Sequence, residues 1–158
     1  MKKFTFVILL VMGMMVSLNA QPRAIGARLG GNVEFSYQHQ LNANMLDCSA
    51  GLTLGGNYFG VGATVIYDWV FPINSWTRQG EWNWYVGPGA GVGFMISNSE
   101  SFTIPVSVNI GGQIGIEYQF GIPLNLSLDY RPMINLLGFS DNIWGQFFGF
   151  ALGVRYRF

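Results

Sequence analysis

Residues 143–158 alternate between two kinds of side chain over their whole length. Successive side chains of a β-strand point to opposite faces, so this alternation gives the strand two different faces. One face is large and mostly apolar, with Trp144, Gln146, Phe148, Phe150, Leu152, Val154, Tyr156 and Phe158. The other is mainly small or cationic, with Ile143, Gly145, Phe147, Gly149, Ala151, Gly153, Arg155 and Arg157. A large aromatic row does not fit the narrow interior of a small barrel, whereas glycine and arginine do. The pattern therefore predicts a barrel strand whose apolar face points outward.

The composition agrees with a barrel that meets lipid on its outer surface. The chain of 158 residues has the length of one domain. Charged residues make up 10% of it and aromatic residues 16%, whereas soluble domains contain about 25% charged residues. No apolar run after the N-terminal segment approaches the ~20 residues of a spanning helix. The sequence therefore predicts an all-β, antiparallel, up-and-down transmembrane β-barrel with a polar interior.

Residues 1–20 have the three parts of a secretory signal peptide. Lys2 and Lys3 form a basic start, residues 4–16 an apolar centre, and residues 17–20 a cleavage region. An uncleaved membrane anchor is the alternative, and the apolar centre is short for a span. We expect export to the periplasm, cleavage, and insertion of residues 21–158 into the cell outer membrane as one barrel domain. The mature chain has no basic patch, so nucleic acid is not an expected partner.

Turn residues divide the mature chain into eight predicted strands. Residues 24–39 allow either one long strand or a hairpin about Gly30, Gly31 and Asn32. We choose the hairpin because glycine supplies the positive φ that a three-residue loop needs, and because the strand count becomes even, as in single-chain bacterial barrels. The other predicted strands cover residues 45–54, 58–71, 82–94, 104–120, 124–135 and 143–158.

Two prolines and one loop complete the expected outline. Pro72 is expected to end strand four and to open the longest connection, residues 72–81. Pro88 lacks a backbone donor, so a bulge or kink is expected in strand five. Residues 136–142 are expected to form a loop before the last strand.

Every charged residue within the proposed strands falls on the row opposite the apolar one. A charge on the lipid face near the membrane midplane would cost ~2–4 kcal/mol, which explains this segregation. The remaining charged residues of the mature chain, among them Arg23 and Glu81, are assigned to the N-terminal tail, turns or loops. The inward charges are Arg28, Glu34, Asp47, Asp68, Glu117, Asp129, Arg131, Arg155 and Arg157.

Two interpretations of this interior stay open. An eight-stranded barrel encloses only enough space for side chains, so a plugged interior with a connected ion-pair network is expected. A substrate channel is the alternative. A soluble lipocalin-like barrel would need an apolar interior and a polar exterior.

The sequence carries no recognisable catalytic, metal or cofactor motif. The only histidine, His39, falls on the outward row near the expected periplasmic end and is interpreted as a polar residue of the membrane interface. The only cysteine, Cys48, falls on an apolar row and is interpreted as a small hydrophobic residue. We therefore expect no enzymatic activity and no cofactor, although barrels with catalytic carboxylates are a known alternative.

The chain ends in Gly153-x-x-Tyr156-x-Phe158, which resembles the C-terminal assembly signal of bacterial outer-membrane proteins. Residues 24–158 as a whole resemble small eight-stranded outer-membrane barrels of the OmpX type. This resemblance implies outer-membrane lipid and the barrel-assembly machinery as partners. It implies a structural protein or an accessory to an envelope assembly, with a small transporter or ligand-binding barrel as the alternative. An aromatic girdle is expected at the periplasmic rim, with Phe71, Trp82, Trp84, Tyr118, Phe120, Tyr156 and Phe158.

Overall fold

The computed structural model describes residues 22–55, 58–73, 75–76, 79–97, 106–137 and 149–158. Its regular elements are all strands, and within these ranges no helix is long and apolar enough to cross a membrane. The signal-peptide prediction and the first part of the last predicted strand, residues 143–148, lie outside the described ranges. The strands are β1 (Pro22–Leu29), β2 (Val33–Leu41), β3 (Asn44–Gly55), β4 (Tyr58–Ile73), β5 (Glu81–Ser97), β6 (Val106–Gln119), β7 (Leu124–Tyr130), β8 (Met133–Leu137) and β9 (Phe150–Arg157).

The strands close into an antiparallel barrel. Their order is β5-β4-β3-β2-β1-β9-β7-β6-β8, and a further pairing of β5 with β6 joins the two ends of the sheet. β7 and β8 pair with the same neighbour in the same register, as shown by Ile114↔Tyr130 and Ile110↔Ile134. They are therefore two parts of one barrel strand, which makes the barrel eight-stranded. The predicted fold class is confirmed.

Pro132 accounts for the interruption between β7 and β8. Proline has no backbone N–H, so it cannot donate to the neighbouring strand. Its carbonyl still accepts a hydrogen bond from the Gly112 amide at 3.0 Å, which holds the interrupted strand against β6. Pairing then continues in the same register to Asn135 and, after a register shift, to Leu137. The sequence analysis predicted one unbroken strand ending at residue 135. This is wrong because the strand is interrupted at residues 131–132 and because it extends to Leu137.

The first two strands form the predicted hairpin. Leu29 pairs with Val33 across a three-residue connection, and the paired rows continue through Arg28↔Glu34 to Ala24↔Gln38. The alternative of one long strand over residues 24–39 is therefore wrong. The expected positive φ is not found at Gly30 or Gly31, so that part of the prediction is also wrong. The connection keeps Arg28 and Glu34 side by side on the same face, which places an ion pair inside the barrel.

Pro72 does not end β4, contrary to the sequence prediction. It lies within the strand and pairs with Asn83 of β5. On the other side, the pairing of β4 with β3 ends at Asp68. Pro72 therefore has a paired strand on one side only, and a residue without an N–H is tolerated at such a local edge.

Pro88 interrupts pairing without shifting its register. Ile66 pairs with Gly89 and Trp69 pairs with Val86, and these two pairs belong to one continuous register. Between them, no β4–β5 pair forms. On the β6 side, Pro88 pairs with Gly112 without a break. The expected disturbance is therefore a local gap in one ladder rather than a bulge.

The barrel has a polar interior and an apolar exterior. Among the described residues, buried polar and charged side chains greatly outnumber buried hydrophobic ones, of which the larger are Met45, Ile66, Tyr85 and Met133. The outer face exposes large apolar side chains along every strand from β1 to β9, including Phe35, Val65, Val92, Ile134 and Leu152. This distribution is the reverse of that of a soluble domain.

Candidate functional site

Inside the barrel, Arg28 lies between two carboxylates. Arg28 Nε donates to Asp129 Oδ1 at 2.7 Å, and its Nη2 lies 2.6 Å from the same oxygen. Its Nη1 lies 3.1 Å from Glu34 Oε2. Glu34 comes from β2, which pairs with β1, and Asp129 comes from β7, which β9 separates from β1. Arg28 therefore links strands on both sides of its own, and charge-assisted hydrogen bonds of this kind are stronger than neutral ones.

Arg131 extends this cluster across the interior. Its Nη1 lies 3.3 Å from Glu34 Oε2, and its Nη2 lies 3.8 Å from Asp47 Oδ1. Its other donors bond to Ser49 Oγ at 2.8 Å and to Gln113 Oε1 at 2.8 Å. One guanidinium thus contacts β2, β3 and β6 from the break between β7 and β8.

Arg155 completes the central cluster from β9. It donates to Ser36 Oγ at 2.8 Å and to Ser127 Oγ at 2.6 Å, and its Nη2 lies 3.4 Å from Asp47 Oδ2. The continuous ion-paired chain is therefore Asp129–Arg28–Glu34–Arg131–Asp47–Arg155, which we call the central network.

A second cluster lies nearer the end of the barrel where both termini of the described barrel are found. Arg23 forms a bidentate ion pair with Glu117 of β6. Glu117 also accepts hydrogen bonds from Asn83, Gln119 and Asn125 at 3.1, 2.9 and 2.9 Å. The carboxylate is therefore saturated with donors.

The position of Arg23 corrects the sequence analysis, which assigned it to the N-terminal tail. It belongs to β1 and is buried. Pro22 pairs with His39 while Ala24 pairs with Gln38, so the register shifts at Arg23. A bulge reverses the facing of the residue at which it occurs, and strict alternation cannot show it. Glu81, likewise assigned to a connection, is the first residue of β5 and is exposed.

Two predicted inward charges lie outside the ion-paired clusters. Asp68 is fully buried, and Gln113 Nε2 donates to its Oδ2 at 3.1 Å. Its Oδ1 has no hydrogen-bond partner, and among the described residues no cation lies within ion-pairing distance. Arg157 is half-buried at the rim, where it donates to Gln119 Oε1.

Tyr85 is an interior residue that the sequence analysis missed. It is fully buried, and its hydroxyl donates to Asp129 Oδ2 at 3.3 Å. Gly115 on the neighbouring strand makes room for it, because a Cβ at this position would overlap the phenol ring. Tyr85 shares its parity in β5 with Gly87, so alternation alone could have placed it inside.

Glycines on the inward row give space to the charged side chains. A Cβ on Gly51 would lie 2.6 Å from Glu34 Cγ. A Cβ on Gly153 would overlap Ser127 Oγ and the guanidinium of Arg155. Gly153, which the sequence analysis placed in a predicted assembly signal, therefore has a packing role beneath Arg155.

Aromatic side chains concentrate at the rim next to the termini. Phe71 and Trp84 stack with centroids 4.5 Å apart, and Tyr156 meets Phe158 edge to face at 5.4 Å. A further row runs along the outer surface as Trp76–Trp82–Tyr118–Phe120, with centroids 5.4, 4.8 and 4.6 Å apart. Trp76, in the connection after β4, was not foreseen as part of this group.

Among the described residues, His39 and Cys48 lie outside both ion-paired clusters. His39 is buried, although the outward row was expected to expose it, and its Nδ1 lies 3.3 Å from the Tyr37 hydroxyl. His39 has a paired strand on each side, with Pro22 of β1 and Leu46 of β3 as its register partners, and its ring centroid lies 6.3 Å from that of Tyr37. Cys48 is a free, half-buried thiol. In the ranges the structure describes, no three His, Cys, Asp or Glu side chains are placed to hold a metal ion.

A cavity of about 550 Å³ opens at the terminal end of the lumen. We call it the vestibule. Its lining includes Arg23, Gln40, Glu81, Asn83, Gln119 and Arg157. Below it, the interior is filled at mid-height by fully buried side chains, among them Arg131, Arg155 and Tyr85. The chain matches no protein-family model, and no curated protein or solved structure is significantly similar to it.

Proposed function

We propose that this chain is an integral outer-membrane β-barrel protein without enzymatic activity, serving a structural role or as an accessory to an envelope assembly. The observation that carries the proposal is the reversed distribution of side chains. Phe35, Val65 and Leu152, on three different strands, are all exposed on the outer face, while the charged residues of the central network are buried. An apolar surface that surrounds a whole barrel far exceeds the patches that soluble monomers expose. Lipid is the solvent that suits it.

The placement of charge supports the same proposal. Within the described strands, Glu81 is the one charged side chain that is exposed, and it lies at the first position of β5. Arg157, at the same rim, is half-buried. The outer wall between the rims is therefore free of charge in the described strands, as a membrane-spanning surface requires because a mid-membrane charge costs ~2–4 kcal/mol.

The aromatic rim supports an orientation. Trp82, Tyr118, Tyr156 and Phe158 lie at the end that carries the described termini and the short turns at residues 42–43 and 121–123. Aromatic residues concentrate at membrane interfaces, and bacterial barrels have short periplasmic turns. We therefore assign this end to the periplasm. The partners that follow are outer-membrane lipid and the barrel-assembly machinery, and the OmpX-type resemblance belongs to this proposal.

Membrane fractionation tests the proposal. The full chain should be recovered in the outer-membrane fraction, and its mobility on a denaturing gel should change on boiling, because closed barrels resist unfolding by detergent at room temperature. A periplasmic protein of similar size serves as the control for leakage between fractions. Recovery of the mature chain in the soluble periplasmic fraction would overturn the proposal.

The vestibule favours a second candidate function, a small transporter or ligand-binding barrel. The filled interior below the vestibule favours binding over conduction. Planar-bilayer recordings separate the two, because a barrel with a plugged lumen should give no stable channel steps. Stable unitary conductance from the wild-type protein would favour the transporter.

A further inference from the structure

The vestibule has the size of a ligand site and a closed, neutral floor. Its volume of about 550 Å³ lies within the ~300–1,000 Å³ typical of small-molecule sites. Arg23, Asn83 and Gln119 form part of the floor and are all buried, and each donates to Glu117. The ion pair between Arg23 and Glu117 leaves no net charge there. A solute that enters from the terminal end therefore meets a polar wall rather than a continuous pore.

Two further charges line the vestibule without neutralising each other. Arg157 donates to Gln119 Oε1, and Glu81 is paired with Gln119 across the β5–β6 ladder. Among the residues that the structure describes, no carboxylate lies within 4.0 Å of the Arg157 guanidinium, and no cation lies within 4.0 Å of Glu81. A cation and an anion thus face the same cavity on either side of one glutamine.

From this arrangement we propose that the vestibule binds a small zwitterion, with its anionic oxygens on Arg157 and its ammonium group on Glu81. The planar fork of a guanidinium matches a carboxylate or phosphate group, and a carboxylate accepts hydrogen bonds from an ammonium group. A simple anion would be attracted by Arg157 but repelled by Glu81. A simple cation would be attracted by Glu81 but repelled by Arg157. Only a ligand with both charges satisfies both residues.

The ligand class is therefore defined by an ammonium group joined through a short linker to a phosphate or carboxylate. A free amino acid carries this chemistry, and so does a phosphoethanolamine group, either in solution or as a lipid headgroup. The inference depends on the barrel mouth and not on membrane location, so it can fail while the proposed function stands.

Titration of the purified full-length barrel tests this inference. The protein is held in a nonionic maltoside detergent, because zwitterionic detergents would compete for the site. The probes are phosphoethanolamine, inorganic phosphate and ethylammonium, and binding is followed by the NMR signal of the Arg157 side chain. Phosphoethanolamine should bind at least about tenfold more tightly than either single-charge probe, the factor expected for one additional charge-assisted hydrogen bond.

Matched variants locate the site. Arg157→Gln should weaken phosphoethanolamine binding by about tenfold, read out by calorimetry because the reporting side chain is gone. Glu81→Gln should abolish the preference for phosphoethanolamine over phosphate. The exchange variant Glu81→Arg with Arg157→Glu should retain binding, because both charges are still present. Heat-dependent gel mobility confirms that each variant is folded.

The source of the zwitterion is settled in nanodiscs. If a lipid headgroup occupies the vestibule, phosphatidylethanolamine in the nanodisc should shift the Arg157 signal without added solute, while phosphatidylglycerol should not. If the ligand is a free solute, only added phosphoethanolamine should shift it. The inference is overturned if no probe binds, if phosphate binds as tightly as phosphoethanolamine, or if folded Arg157→Gln binds like the wild type.

Discussion

Arg155 offers the most direct test of the ion-paired interior. It is almost fully buried and bonds to Ser36, Ser127 and Asp47, which lie on three other strands. Arg155→Met preserves much of the side-chain length but removes every donor. Asp47 would keep Gln38 as a donor at 3.2 Å, while its remaining cation, Arg131, lies 3.8 Å away.

The expected loss of stability follows from this geometry. Removing one partner of a buried ion pair leaves an uncompensated charge and costs roughly 3–5 kcal/mol. The two serine hydroxyls lose a charged donor as well, so we expect the destabilisation to lie in the upper part of this range. Part of this loss of stability should come from the charge of Asp47, which stays buried without Arg155. The double variant Arg155→Met with Asp47→Asn removes that charge and should therefore recover part of the lost free energy of unfolding.

Arg157→Met is the matched control. It makes the same change two residues further along β9, where the arginine is half-buried and its partner is the neutral Gln119. Loss of one such hydrogen bond should lower stability by about 1 kcal/mol. Urea unfolding in phospholipid vesicles, followed by tryptophan fluorescence, measures both variants under the same conditions. Equal and small effects at both positions would show that the interior is hydrated, and the channel interpretation would then be favoured.

Three further predictions test other parts of the barrel. Gly115→Ala should lower the free energy of unfolding by about 1–3 kcal/mol because its methyl group overlaps the ring of Tyr85; the same urea titration measures it, and an unchanged midpoint would contradict the assigned packing. Tyr156→Ala combined with Phe158→Ala should reduce the folded fraction in the outer membrane, as judged by heat-dependent gel mobility; wild-type insertion would mean that the terminal motif is not an assembly signal. Asp68→Asn should change the free energy of unfolding by less than about 1 kcal/mol, since no described cation pairs with Asp68 and an amide oxygen can still accept its one hydrogen bond; a loss similar to that of Arg155→Met would contradict this.

Much of the fold could be predicted from the alternation of apolar and polar side chains. The two-residue period fixes which side chains share a face, and turn residues indicate where the chain reverses, so the position of the hairpin at residues 30–32 could be predicted. The positive φ invoked for its glycines is not found at Gly30 or Gly31. The inward position of Arg28, Glu34 and Arg155 followed from the same parity. Identification of their partners needed the closed barrel, because β9 lies beside β1 only after closure.

The wrong predictions at Arg23 and Pro72 arise where the strands depart from ideal geometry. The register shift at Arg23 turned a residue of the apolar row inward, and nothing in the alternation marks such a shift. Pro72 was wrongly predicted to end a strand because proline lacks a donor. It is tolerated within β4 because β3 pairs with β4 only as far as Asp68, and the sequence around Pro72 does not indicate where that pairing ends. The vestibule depends on side-chain placement at the rim, which residue type and parity do not determine.

The central claim is that the apolar outer wall contacts lipid, and spin-label accessibility in vesicles measures this directly. Single cysteines are introduced at Phe35, Val65 and Leu152 after Cys48→Ala, and each is labelled with a nitroxide. The account predicts that all three labels collide often with oxygen, which concentrates in lipid, and rarely with a water-soluble nickel chelate. Ready collision with the nickel chelate at all three positions in the folded, membrane-associated protein would show that the wall faces water and would contradict the account.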